Sequence, residues 1–148
     1  MSTIQFAAPD TEENLLTTEL NSMIDGARAI SAAFSNDAGG ERYLTVDFKL
    51  DLAVQGSARS AGPSCQLWIL YAIDGTGYTY GDASLEPPPE ASKGVFTLDP
   101  ATNARIVHMT DILLRPYNFK VVLENNTGQT LASSGTILSM RRVKLENV

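Results

Sequence analysis

The chain carries one histidine, His108, and one cysteine, Cys65, so imidazole or thiol chemistry would have to rest on these two side chains. His108 lies between Val107 and Met109 in a stretch that reads as a strand, where a solvated or hydrogen-bonded histidine needs no catalytic explanation. Cys65 has no basic neighbour to lower the pKa of its thiol, which marks it as a small packed hydrophobe rather than a nucleophile. A lone His and a lone Cys far apart in sequence supply no zinc pair. Neither a Gly-x-Ser-x-Gly elbow nor a Ser-x-x-Lys motif occurs.

The stretch Asp74-Gly-Thr-Gly-Tyr-Thr-Tyr-Gly-Asp82 places two acids around a glycine-rich turn, but it lacks the alternating oxygen ligands and closing glutamate of a calcium loop. An ordinary hairpin turn accounts for it. Gly75, Gly77 and Gly81 miss the dinucleotide fingerprint, because the third glycine is displaced and no helix follows. Asn125-Asn-Thr127 matches a glycosylation sequon, a pattern frequent by chance. Trp68, Tyr71, Tyr78 and Tyr80 are a candidate sugar platform, although strand aromatics more commonly fill a core or an interface. Arg141, Arg142 and Lys144 make the tail basic, suited to a solvated strand end or to contact with an acidic neighbouring subunit. Acids distant in sequence can converge for glycoside hydrolysis, but no particular pair is indicated. The expectation is a non-enzymatic protein with no catalytic residues, no metal and no cofactor.

The elements that must position these groups follow from periodicity. From Tyr43 to Leu52, apolar Leu44, Val46, Phe48, Leu50 and Leu52 alternate with Thr45, Asp47, Lys49 and Asp51, the period of a half-buried strand. Asp37-Ala-Gly-Gly40 supplies the turn before it and Gln55-Gly-Ser-Ala58 the break after it. Gln66–Ile73 is apolar on both faces, as in a central strand or one whose outer face a partner covers. Tyr78-Thr-Tyr80 is placed to pair back across the Asp74–Gly77 turn, and Glu86-Pro-Pro-Pro-Glu90 reads as an extended loop. Shorter strands are expected at Gly94–Leu98, Ala104–Thr110 and Asn118–Glu124, with one or two more in Thr136–Leu145. This punctuation predicts an all-β antiparallel sandwich, a jelly roll or another Greek-key arrangement, rather than βαβ units.

The first forty residues are open to two readings. Leu16, Leu20, Ile24, Ala27 and Ile30 have helical spacing interrupted by Asp25-Gly26. The reading adopted makes residues 1–21 an extended N-terminal arm and residues 22–148 one sandwich domain, with a strand in Ala27–Phe34. With 148 residues, one domain buries enough surface to need no disulfide or metal staple. The formal net charge of −6 speaks against binding nucleic acid or an anionic membrane, which needs clustered Lys and Arg. No apolar run approaches transmembrane length, and Met1-Ser-Thr-Ile-Gln5 lacks the pattern of a signal peptide. A single cysteine is compatible with synthesis in a reducing cytosol.

Several segments in order carry a resemblance: Gly26-Ala-Arg-Ala29, Val46-Asp-Phe-Lys-Leu-Asp-Leu52, Gly56-Ser-Ala-Arg-Ser-Ala-Gly62 and Asp82-Ala-Ser-Leu-Glu-Pro-Pro-Pro89. Asn118-Phe-Lys-Val-Val-Leu-Glu-Asn-Asn-Thr-Gly128 and Ala132-Ser-Ser-Gly-Thr-Ile-Leu-Ser-Met-Arg-Arg142 complete the series. Together, from about residue 20 onward, they resemble a group of small virion structural proteins of tailed bacteriophages. The resemblance implies a protein made in the host bacterial cytoplasm and located on the virion, a capsid decoration or cement protein that clamps the major capsid protein, as a homo-oligomer on the particle. The alternative is a carbohydrate- or receptor-binding module of the tail or head–tail region. The candidate interface residues are Ile4, Phe6, Leu15 and Leu16 on the arm, with Arg141, Arg142 and Lys144 at the other end.

Overall fold

The computed structural model describes residues 3–36 and 42–147. The expected turn Asp37-Ala-Gly-Gly40 lies outside the described residues. Strands are β1 (Ile4–Phe6), β2 (Glu13–Leu16), β3 (Arg28–Ile30), β4 (Thr45–Leu52), β5 (Ser64–Ala72), β6 (Ser92–Thr97), β7 (Arg105–Leu113), β8 (Asn118–Asn126), β9 (Ile137–Val143) and β10 (Leu145–Asn147). The helical content among the described residues is two single 3-10 turns, Thr18–Leu20 and Pro89–Ala91. The protein is all-β with antiparallel sheets, as its punctuation predicts.

Two four-stranded sheets run in the orders β2-β9-β4-β7 and β3-β8-β5-β6. Their pairings are nested: β2 with β9, β3 with β8, β4 with β7, β5 with β6. The remaining contacts, β9 with β4 and β8 with β5, join alternate pairs of that nest, which is what sorts them into two sheets. A long antiparallel ribbon that doubles back after β5 and coils on itself gives this order.

One apolar core lies between the sheets. Val46, Phe48, Leu50 and Leu52 of β4 are fully buried against Leu138 and Met140 of β9 and Leu67, Ile69, Phe119, Val121 and Leu123 of the second sheet. Their polar alternates Thr45, Asp47, Lys49 and Asp51 are half-buried on the outer face, so the strand phase read from the sequence holds. β7 keeps Val107, Met109 and Ile112 against the core across a break in period two. A bulge between the Val46–Ile112 and Phe48–Met109 pairs absorbs one extra β7 residue there. Asp111 takes a positive φ of 58° at this bulge, and its amide donates to Asp47 Oδ1 at 2.8 Å.

The second face of β5 is covered by the chain itself. Trp68 and Leu70 pack with Val122 and Ala91, with Ile30 alongside. The proline segment is therefore partly interior: Pro87 and Pro88 are buried, and the following 3-10 turn presents Ala91 to Trp68 and Leu70. Gly81 permits this return, because its φ of 135° suits glycine and a Cβ there would lie 2.8 Å from Pro87. Across the opposite loops, Arg59 is fully buried yet fully engaged. Its Nε donates to Asp99 O at 2.7 Å, Nη1 to Gln55 Oε1 at 2.9 Å and Nη2 to Asp99 Oδ1 at 2.7 Å. The β4–β5 and β6–β7 connections are thereby tied together around one compensated charge.

The expected N-terminal arm is corrected. Glu13–Leu16 is the edge strand of the first sheet, and Leu15, Leu16 and Leu20 belong to the core. Further out, the Ala7 amide donates to Lys144 O at 2.9 Å and the Asp10 amide to Arg142 O at 2.8 Å, so residues 4–16 run antiparallel along 138–147. The sequence concealed this because the register shifts between Asn14 and Leu16, which buries two consecutive leucines and erases the period-two signal. The helical spacing also misleads: Thr18–Leu20 forms one 3-10 turn, and Ile24 is exposed.

Candidate functional site

The outer face of the first sheet gathers most of the residues with chemical potential. Glu12, Asp47, Lys49, His108, Thr110, Ser139 and Arg141 line a depression of about 220 Å³ together with Phe48 and Met140. Ser139 is buried and its Oγ donates to Glu12 Oε1 at 2.7 Å, while Lys49 Nζ forms an ion pair with the same carboxylate oxygen. Ser139 and His108 are both cross-strand partners of Lys49, on opposite sides of β4. Two strand spacings, about 9–10 Å, therefore separate the backbones of Ser139 and His108. The contacts observed are those of a salt-bridged polar surface, in which the Ser139 hydroxyl is directed to Glu12.

Cys65 sits in the core, where burial pushes its thiol pKa up to about 12. A thiol held neutral in this way is inert. We expect the native protein to resist alkylation at pH 8 and to react promptly once denaturant is added. Fast labelling of the folded chain, with an unchanged circular dichroism spectrum, would contradict this burial.

The two acids of the glycine-rich segment cap their own turns. Asp74 Oδ1 accepts from the amides of Thr76 and Gly77 at 2.9 and 2.6 Å, and Asp82 Oδ1 from those of Ser84 and Leu85 at 2.6 and 2.7 Å. Among the described residues, no group of three or more His, Cys, Asp or Glu is placed to hold a metal ion. The amide bonds hold both carboxyls below their ordinary values. Asp10 is lowered chiefly by the Tyr43 hydroxyl, Glu12 by Lys49 and Asp99 by Arg105. Each such group binds its proton more weakly when folded than when unfolded. Its contribution is present above the ordinary range of 3.8–4.5 and is lost as pH falls through the depressed folded values. The melting temperature is accordingly expected to fall from pH 5 to pH 3; a flat or rising profile would refute this.

The candidate interface residues divide. Leu15 and Leu16 are interior and unavailable for docking. Ile4 and Phe6 stand on a two-stranded ribbon of β1 and β10, exposed to 71% and 65%, with Leu145 directly opposite Phe6. Their alternates Gln5 and Glu146 are joined by a 3.1 Å hydrogen bond, so the ribbon has one apolar and one polar face. Arg141 is exposed opposite Asp47. Arg142 is committed within the chain, 4.4 Å over the Tyr43 ring and paired with Asp10 and Glu13 at 3.5 and 3.3 Å. The Lys144 side chain lines a small hollow with Pro9, Asp10 and Tyr43.

The four aromatics do not form one platform. Trp68 is covered by the proline segment, Tyr78 lies under Lys120 Nζ at 4.5 Å, and Tyr80 is exposed. Tyr71 instead joins residues that sequence reasoning missed: Lys93, Arg115 and Tyr117, with Ile73, around a depression of about 400 Å³. Lys93 comes from strand β6 and Arg115 from the β7–β8 connection, so no local motif announces them. No protein-family model matches this sequence, and no similar curated protein was found. No helix among the described residues is long and apolar enough to cross a membrane.

Proposed function

We propose that this chain is a non-enzymatic structural protein of a tailed-phage virion, in its most concrete form a decoration protein that binds the major capsid shell. The observation that carries this reading is the terminal ribbon, which holds Ile4, Phe6 and Leu145 in the open, outside the core. An exposed apolar strand face with unpaired backbone edges is costly in isolation and is satisfied by association. The nested pairing of eight strands into two interleaved sheets supports a jelly roll, an architecture used by viral capsid and lectin domains. The resemblance of the Gly26–Arg142 segments to small phage virion proteins points the same way. Binding at many equivalent sites lets modest individual interfaces add up to a large stabilisation of a shell.

The test is co-sedimentation with shells assembled from the major capsid protein of the same genome. The native chain is expected to pellet with the shells, and the double variant Ile4→Ser, Phe6→Ser to remain in the supernatant with an unchanged melting temperature. A native chain that stays in solution, or a gene embedded among tail genes, would overturn the decoration reading.

A further inference from the structure

Lys93 and Arg115 line the same depression, and among the described residues no carboxylate lines it with them. This is unusual in a chain whose acids outnumber its bases by 17 to 11. Arg28, Lys49, Arg59, Arg105 and Arg142 each have an ion-pair partner among the described residues, whereas Lys93 and Arg115, like Lys120 and Arg141, have none there. Burial and the charge of Arg115 both lower the pKa of Lys93, as expected for a partly buried cation near a like charge.

The fold aims both groups deliberately. Leu67 pairs with Gly94 and Trp68 with Ser92, so Lys93 is the extra residue of a β-bulge on the edge strand β6. Gly94 supports the bulge at a φ of 135°. The bulge returns Ser92 to the outer face, where Gln66 Nε2 donates to its Oγ at 3.2 Å, and Lys93 Nζ comes to 5.8 Å from the Tyr71 ring centroid. Tyr71 in turn pins the segment carrying Arg115. Its hydroxyl accepts from the Arg115 amide at 3.3 Å and donates to Leu113 O at 3.4 Å, and Asn36 Nδ2 donates to Arg115 O at 2.8 Å. Tyr117 stands edge-on to Tyr71 at 6.3 Å between centroids and completes an aromatic wall.

Two converging cations and two tyrosines around about 400 Å³ make a site larger than one side-chain carboxylate needs. We propose that this depression binds an acidic sugar, with its carboxylate or phosphate held between Lys93 and Arg115 and its ring against Tyr117 and Tyr71. A pyranose offers both the anionic group and an apolar C–H face, which a free inorganic anion does not. The site is independent of where the protein sits on a particle, so its failure would leave the capsid reading untouched.

The experiment titrates the isotopically labelled full-length chain with galacturonate, N-acetylneuraminate, glucose 6-phosphate, galactose and inorganic phosphate, following the amide signals of Tyr71, Lys93, Arg115 and Tyr117. At least one acidic sugar is expected to saturate these signals by about 10 mM, a concentration that fills a 1 mM site to roughly nine-tenths. The carboxylated and phosphorylated sugars distinguish which anion the pair prefers. Lys93→Gln and Arg115→Gln are each expected to weaken binding at least about tenfold, the loss of one charge-assisted hydrogen bond, while Lys120→Gln leaves it unchanged. Melting temperatures should match the native protein throughout. The proposal is overturned if no acidic sugar saturates, if galactose or inorganic phosphate binds as tightly, or if neither glutamine variant weakens binding.

Discussion

Phe48→Ala is expected to lower the unfolding free energy by about 3–5 kcal/mol, the range for deleting a buried aromatic ring. Phe48 has no exposed surface and sits in the middle of β4, which is paired on both sides, opposite Met109 on β7 and Met140 on β9. Truncation leaves a cavity among side chains held by two ladders, so the surroundings cannot easily collapse into it. Lys49→Ala, one position on, removes an ammonium from the outer face whose main partner is Glu12. A surface ion pair of this kind contributes only about 0–1 kcal/mol, and the variant should stay within that range. Urea titrations of the two proteins measure the contrast. Equal losses would mean that the inner and outer faces of β4 are interchanged.

Deleting residues 2–18 is expected to abolish cooperative folding or to reduce the melting temperature severely. The deletion removes β2 and with it Leu15 and Leu16, both interior. Each buried leucine is worth about 2–5 kcal/mol on truncation, and the loss also leaves one side of β9 without its partner. Against a typical total stability of about 5–15 kcal/mol, two such losses plus a bared strand edge are decisive. Deleting residues 2–6 instead removes only the exposed β1, and the melting temperature should change little. A shorter chain that melts like the native protein after loss of residues 2–18 would show that β2 contributes nothing to the core.

Much of the fold was legible because most of its strands obey local rules. β4 and β8 bury alternate residues on the common core, so their period of two survives in the sequence, and the turns at Asp74–Gly77 and Asn125–Gly128 carry their own chemistry. β5 was legible as a strand with two apolar faces, but only the folded chain shows that its outer cover is the returning proline segment. The N-terminal segment failed for a definite reason. A register shift makes Leu15 and Leu16 consecutive interior residues, and a four-residue edge strand is too short to display a period around such a break.

The sequence by itself determined the class: strand-length apolar alternation, abundant turns, an acidic balance and single copies of His and Cys leave little besides an all-β protein without an evident catalytic motif. Only the tertiary structure decided which groups meet. The separation of Ser139 from His108 depends on which strands flank β4, and that order is set by the coiling of the whole ribbon. Lys93 shares a depression with Arg115 because a one-residue bulge turns the lysine toward Tyr71, whose hydroxyl anchors the arginine's segment. Periodicity reports how a residue faces its own element. Contact between elements depends on register and bulges, which arise from long-range pairing and leave almost no local trace.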